Sequence, residues 1–135
     1  MRQIGCALAV ALLALTPALA RAGDGEIVGR ADLLAGPAEQ FPNVRILPDG
    51  AQVEVHGCLR NLRWCDVTWR GKRGWVDSMK VAYTGSPVEL PTVTFNCNKY
   101  WDEHYKSQFF YSDKDKWLGL ADGPVAKAVD ISAAN

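Results

Sequence analysis

Cys58, Cys65 and Cys97, with His56 and His104, are the residues of this 135-residue chain best suited to covalent or acid–base chemistry. A cysteine nucleophile needs a histidine within about 3 Å, or one bridging water, to take its proton. Cys97 and His104 fall in a segment of helical pattern, where seven residues separate them by about 10 Å along the axis. A local dyad is therefore not expected, and Cys97 reads as a buried thiol or an intermolecular disulfide partner. Asp102-Glu103-His104 has metal-ligand residue types, but adjacent helical side chains point in different directions and cannot converge on one ion. No spacing here matches a zinc pattern, and the other carboxylates are scattered without a convergent pair. Neither catalysis nor a cofactor is expected.

Two other groups of residues suit binding. Arg60, Arg63, Arg70, Lys72 and Arg73 lie on two candidate loops that a small barrel would bring to one side. Such a patch suits anionic wall polymers or lipid headgroups, although solvated hairpin tips account for it equally well and are the simpler reading. Among the aromatics, Trp69 and Trp75 suit a core. Phe41 and Tyr83 lie in or beside loops and, with Trp64 and Trp75, are the candidates for lining a shallow peptide groove. The formal net charge of zero gives no electrostatic ground for a nucleic-acid partner.

The elements that would position these residues begin after an export signal. Arg2 precedes an uncharged apolar run from Ile4 to Leu15, Thr16-Pro17 breaks it, and two Ala-x-Ala triplets end at Ala20 and Ala22. Residues 1–22 are thus expected to be a signal peptide, the run being short for a bilayer span of about 20 residues. Cys6 precedes the apolar region, which argues against a lipoprotein. Cleavage after Ala22 leaves 13 basic against 15 acidic residues and an odd number of cysteines, in a periplasmic or secreted setting where disulfides persist.

Short strands are expected at Ile27-Val28, Val44–Leu47, Gln52–His56, Trp64–Trp69 and Trp75-Val76, with a turn at Pro48-Asp49-Gly50. About five short strands, with no helix-period segment from residue 26 to 83, make an all-β domain: a small barrel. Cys58 and Cys65 flank a hairpin loop, where directly opposed Cα atoms lie about 4.5–5.5 Å apart, so a disulfide between them is expected. Regular pairing would then set Val55 opposite Thr68 and Val67 opposite His56, sending the valines to opposite faces. A β-bulge near Trp64-Cys65 would reconcile the disulfide with a shared valine core.

Pro87 and Pro91 bracket a linker, and Thr92–Phe95 is one more strand candidate. Asn96 or Asn98 then caps a helix with Tyr100, Trp101, His104 and Tyr105 on one face. Eight aromatic residues between Phe95 and Trp117 are expected to pack on the barrel across residues 84–120, leaving 121–135 as a flexible tail.

The order Leu33-Leu34-Ala35-Gly36-Pro37, Phe41-Pro42, Val44-x-Ile46-Leu47-Pro48-x-Gly50 and Val53-x-Val55, closed by Trp64-Cys65-Asp66-Val67 and Gly74-Trp75-Val76, resembles the bacterial SH3-like domain over about residues 26–83. The tail is similar to an extension seen in small exported members of that group. Two departures stand out, Ala35, where an arginine often precedes the Gly-Pro, and Glu39. The resemblance implies an SH3-like barrel in a cell-envelope setting and no reaction. The function expected is a non-catalytic module that binds peptide, peptidoglycan or a protein partner. The alternative is a structural or regulatory subunit that masks an envelope protein through its aromatic tail.

Overall fold

The computed structural model describes residues 23–84 and 90–122; residues 1–22, where a signal peptide is expected, Pro87 of the expected linker and the last thirteen residues lie outside them. Seven strands, β1 Gly23–Ile27, β2 Ala31–Leu34, β3 Asn43–Leu47, β4 Gln52–Cys58, β5 Trp64–Trp69, β6 Lys72–Asp77 and β7 Val81–Tyr83, form one antiparallel sheet. Its order is β3-β2-β6-β5-β4-β1-β7, so β3 and β7 are its edges. The all-β class agrees with the sequence pattern, but the count of about five rises to seven. The two strands without a sequence signal are β2, whose Asp32 is followed by two buried leucines, and β7, three residues long. In β2 the register with β3 shifts between Leu33 and Leu34, and both leucines are buried. A strand irregular in this way shows no period-two alternation.

The conflict between disulfide and valines is resolved by a bulge, as expected, but on the opposite strand. Cys58 pairs with Cys65 and Gly57 with Asp66, while Val55 pairs directly with Val67. The extra residue is therefore His56 on β4, not one beside Trp64. The disulfide Cys58–Cys65 joins opposed residues with Cα atoms 4.0 Å apart. Val55 and Val67 are both fully buried. Placing the bulge at His56 also turns Gly57 toward the chain beyond the sheet. A Cβ on Gly57 would lie 2.5 Å from the Pro91 carbonyl oxygen. That close approach lets the Cys58 N–H donate to the Pro91 carbonyl at 3.1 Å, and the Val93 N–H to the Cys58 carbonyl at 2.9 Å. Beyond this lone parallel bridge at Thr92, residues 92–95 make no strand, contrary to the alternation in their sequence.

After that bridge the chain forms helix α1, Cys97–His104, and helix α2, Lys114–Asp122, with a 3-10 turn at Phe109–Asp113 between them. Asn96 is the cap of α1, its side-chain oxygen accepting from the Lys99 N–H at 3.0 Å. The α1 face puts Tyr100 and Trp101 into the core, and Tyr105 follows one residue past the helix. Phe95, Trp101, Tyr105 and Trp75 are among the largest fully buried side chains, so sheet and extension share one core. No helix among the described residues is long and apolar enough to cross a membrane.

The disulfide closes a loop of seven residues' separation. Chain-entropy arguments give it about 2–3 kcal/mol. Replacing Cys58 and Cys65 together by Ser is expected to lower stability by about that amount in urea denaturation. An unchanged midpoint would mean that the sheet holds the hairpin without the bond.

Candidate functional site

Three of the four aromatic groove candidates are buried: Phe41 is 3%, Trp64 3% and Trp75 0% exposed. Phe41 packs edge-on against Phe95 and stacks on Trp117, with ring centroids 5.6 and 5.9 Å apart. Trp75 meets Phe95 and Tyr100 at 5.5 and 5.7 Å. The extension thus occupies the surface that Phe41 and Trp75 were expected to offer a ligand, and these two residues are corrected from groove to core. Tyr83 is half-buried, its hydroxyl lying 3.4 Å from the Cys58 sulfur and 3.6 Å from that of Cys65. It lines a separate pocket of about 330 Å³ with Leu62, Ser78 and Leu90.

Ala35 takes its meaning from the same packing. It is fully buried, and its carbonyl accepts the Trp101 indole N–H at 2.8 Å. An arginine here, as the resemblance would have it, would place a guanidinium under the extension without water.

Trp64 stands at the start of β5 and lines a groove of about 180 Å³ with Asp32, Glu39, Asp77, Arg30 and Lys80. The groove runs between the loop joining β2 to β3, which carries Glu39, and the 3-10 turn Ser78–Lys80. Its walls carry three acidic against two basic side chains. The indole N–H groups of Trp64 and of Trp75 are both buried and find no acceptor among the described residues. Buried indole donors usually have partners, and leaving one without costs about 1–3 kcal/mol.

A second polar site lies where α1 meets the sheet. Asp66 on β5 is 4% exposed and accepts from Arg73 Nε and Nη2 at 2.8 and 2.7 Å and from the Tyr100 hydroxyl at 2.6 Å. Burial alone would lower the Arg73 pKa, but the hydrogen bonds and charge of Asp66 outweigh it and hold the group above its usual value. Burial pushes the Tyr100 phenol well up, so it stays a donor. His104 packs edge-on against the Tyr100 ring at 4.6 Å. His56, at the bulge, shares a 2.6 Å hydrogen bond with Thr68. Both histidines are held below their ordinary pKa, first by burial and then by the Arg73 charge. Sequence alone did not single out Asp66 or Tyr100 as partners, because 34 residues separate them and only the fold joins them.

The five basic residues do not make one patch. Arg60 and Arg63 lie on the β4–β5 loop, and Arg70 at the β5–β6 turn, at opposite ends of β5. Successive hairpin turns alternate ends of a sheet, so the two groups are a strand length apart. Arg63 lies 3.8 Å from Glu39, and Arg73 is committed to Asp66. The 102–104 trio likewise diverges: Asp102 accepts from Tyr111 and Lys114 at 2.6 and 2.9 Å, while Glu103 faces Lys99. Cys97 is buried in the helix face and lies outside the disulfide.

A small antiparallel sheet with a loop-walled groove is the framework of a binding module. Residues 29–82 match the bacterial SH3 domain family, and this segment of the chain is a bacterial SH3 domain. No curated protein and no solved structure matches the chain.

Because the two histidines bind protons less readily folded than unfolded, the unfolded chain gains protons first as pH falls. Stability should therefore be full above pH about 6.5 and decline below it, levelling once the folded-state histidines also protonate. Thermal melts between pH 7.5 and 5.5 check this, and the paired change His56→Gln with His104→Gln should flatten the profile. Asp66→Asn, which leaves Arg73 facing a neutral partner, should cost about 3 kcal/mol or more in urea denaturation.

Proposed function

We propose that this chain is an exported, non-catalytic module of the cell envelope that binds an extended peptide in the groove beside Trp64. The peptide belongs either to peptidoglycan or to an envelope protein. The observation that carries this reading is the open groove walled by Trp64, Asp32, Glu39 and Asp77 within the segment that matches the bacterial SH3 domain. The carboxylates of Asp32, Glu39 and Asp77 on its walls suit a segment carrying an amino group, Glu39 being shared with Arg63 at 3.8 Å. The Cys58–Cys65 disulfide is the kind of bond that persists outside the cytoplasm, which supports export.

The polar seam supports binding over catalysis. Asp66 is spent on Arg73 and Tyr100, and no carboxylate is hydrogen-bonded to the His56 or His104 ring among the described residues. The His56–Thr68 pair therefore lacks the third group that orients a catalytic base. The alternative, a tail that masks another protein, loses support from the burial of Phe95, Tyr100, Trp101, Tyr105 and Phe110 in the chain's own core.

Retention on purified peptidoglycan, compared with capture of proteins from an envelope extract, distinguishes the two ligands. The variant Asp32→Lys with Glu39→Lys, both exposed positions, should weaken retention about tenfold or more. The Trp64 indole resonance should move when a retained fragment is added. Retention on neither material, or binding that ignores the charge reversal, would remove the groove from this role.

A further inference from the structure

The seam between α1 and the sheet opens into a cleft of about 470 Å³, lined by Asp66, Arg73, Thr92, Thr94, Lys99 and Glu103 among others. It is a different opening from the Trp64 groove, with no lining residue in common. Arg73 is its best-placed donor. Asp66 engages Nε and Nη2, the side-on edge of the guanidinium, from a buried position. The end-on edge, with Nη1, stands outside that pair, and the side chain remains 28% exposed. The Asp66 clamp and the Tyr100 ring, 5.8 Å away, fix the orientation of the fork, so little side-chain freedom remains to be lost when a ligand binds. Lys99 is a second cation at the rim, 76% exposed and only 4.0 Å from Glu103.

The charge count selects the ligand. Arg73 and Lys99 are matched by Asp66 and Glu103, and the neighbouring His104 adds no cation near neutral pH. A doubly charged phosphate would face two carboxylates with no surplus of positive charge. A planar, singly charged carboxylate needs only the free edge of one guanidinium. A ligand that also carries an ammonium gains Glu103, half-exposed beside Lys99 on the same cleft.

We propose that this cleft is a second binding site, which takes the free C-terminal carboxylate of a short peptide on Arg73 and Lys99. This site does not depend on the groove at Trp64 and would survive its failure. The test uses the whole chain labelled with nitrogen-15, titrated with tri-alanine, with tri-alanine C-terminal amide and with inorganic phosphate. The free acid should shift the Arg73 Nε–H and Lys99 amide resonances saturably at millimolar concentration, and the amide should leave them in place. Lys99→Ala, an exposed change that the fold tolerates, should weaken the acid about threefold to tenfold. Arg73→Lys, which keeps a charge beside Asp66 but loses the planar fork, should abolish the difference between acid and amide. Equal shifts with acid and amide, no shift with either, or phosphate binding more tightly than the peptide acid would each overturn the assignment.

Discussion

The carboxylate of Asp66 is the group on which the rest of the molecule depends. A buried charge is tolerable only when its oxygens are all but saturated, and here a guanidinium fork and a phenol do so from different directions. Arg73 comes from the neighbouring strand and Tyr100 from the helix beyond the linker, so one side chain ties three elements. If the extension leaves, Asp66 loses a short hydrogen bond and the aromatic core beneath it is opened to water. The sheet and the extension therefore form a single structure rather than a domain with an appendage.

The bulge at His56 is what makes this geometry reachable. Without it, Cys58 and Val55 could not both meet their partners on β5 while keeping the valines in one core. By displacing the register, it brings Gly57 under Pro91 and gives the extension its first backbone contacts. It also lifts His56 out of regular pairing toward Thr68, at the border of the polar seam. One inserted residue thus serves the hairpin, the staple and the attachment of the tail.

Much of the sheet was legible in the sequence, because Gln52–Val55 and Trp64–Trp69 carry alternation and β-branched residues that admit few other readings. The need for a bulge could be read from the cysteines and valines together. Its strand could not, since that depends on Gly57 accepting Pro91, a neighbour far along the chain and outside the hairpin's own logic of local pairing. β2 and β7 gave no signal, the first because both its leucines are buried, the second because it is too short to show a period. The groove was half legible. Trp64 lines an opening, but Phe41 and Trp75 are aromatic too, in similar loop or strand settings, and only the packing of Phe95 and Trp117 reveals that they belong to the core. Asp66 and Tyr100 were invisible because nothing in a linear pattern shows which distant hydroxyl will meet a buried carboxylate.

Two side-chain hydrogen bonds from the extension end on main-chain carbonyls: Trp101 on Ala35 and Tyr105 on Arg73, each at 2.8 Å. A carbonyl is present whatever residue occupies the position, so these two locks do not read the side chains they grip. The Tyr100 bond, by contrast, reads an identity, that of Asp66. Substitution can therefore proceed across much of the sheet while the same extension continues to seat, and the heritable specificity of the assembly is concentrated in one carboxylate and a handful of rings on the tail.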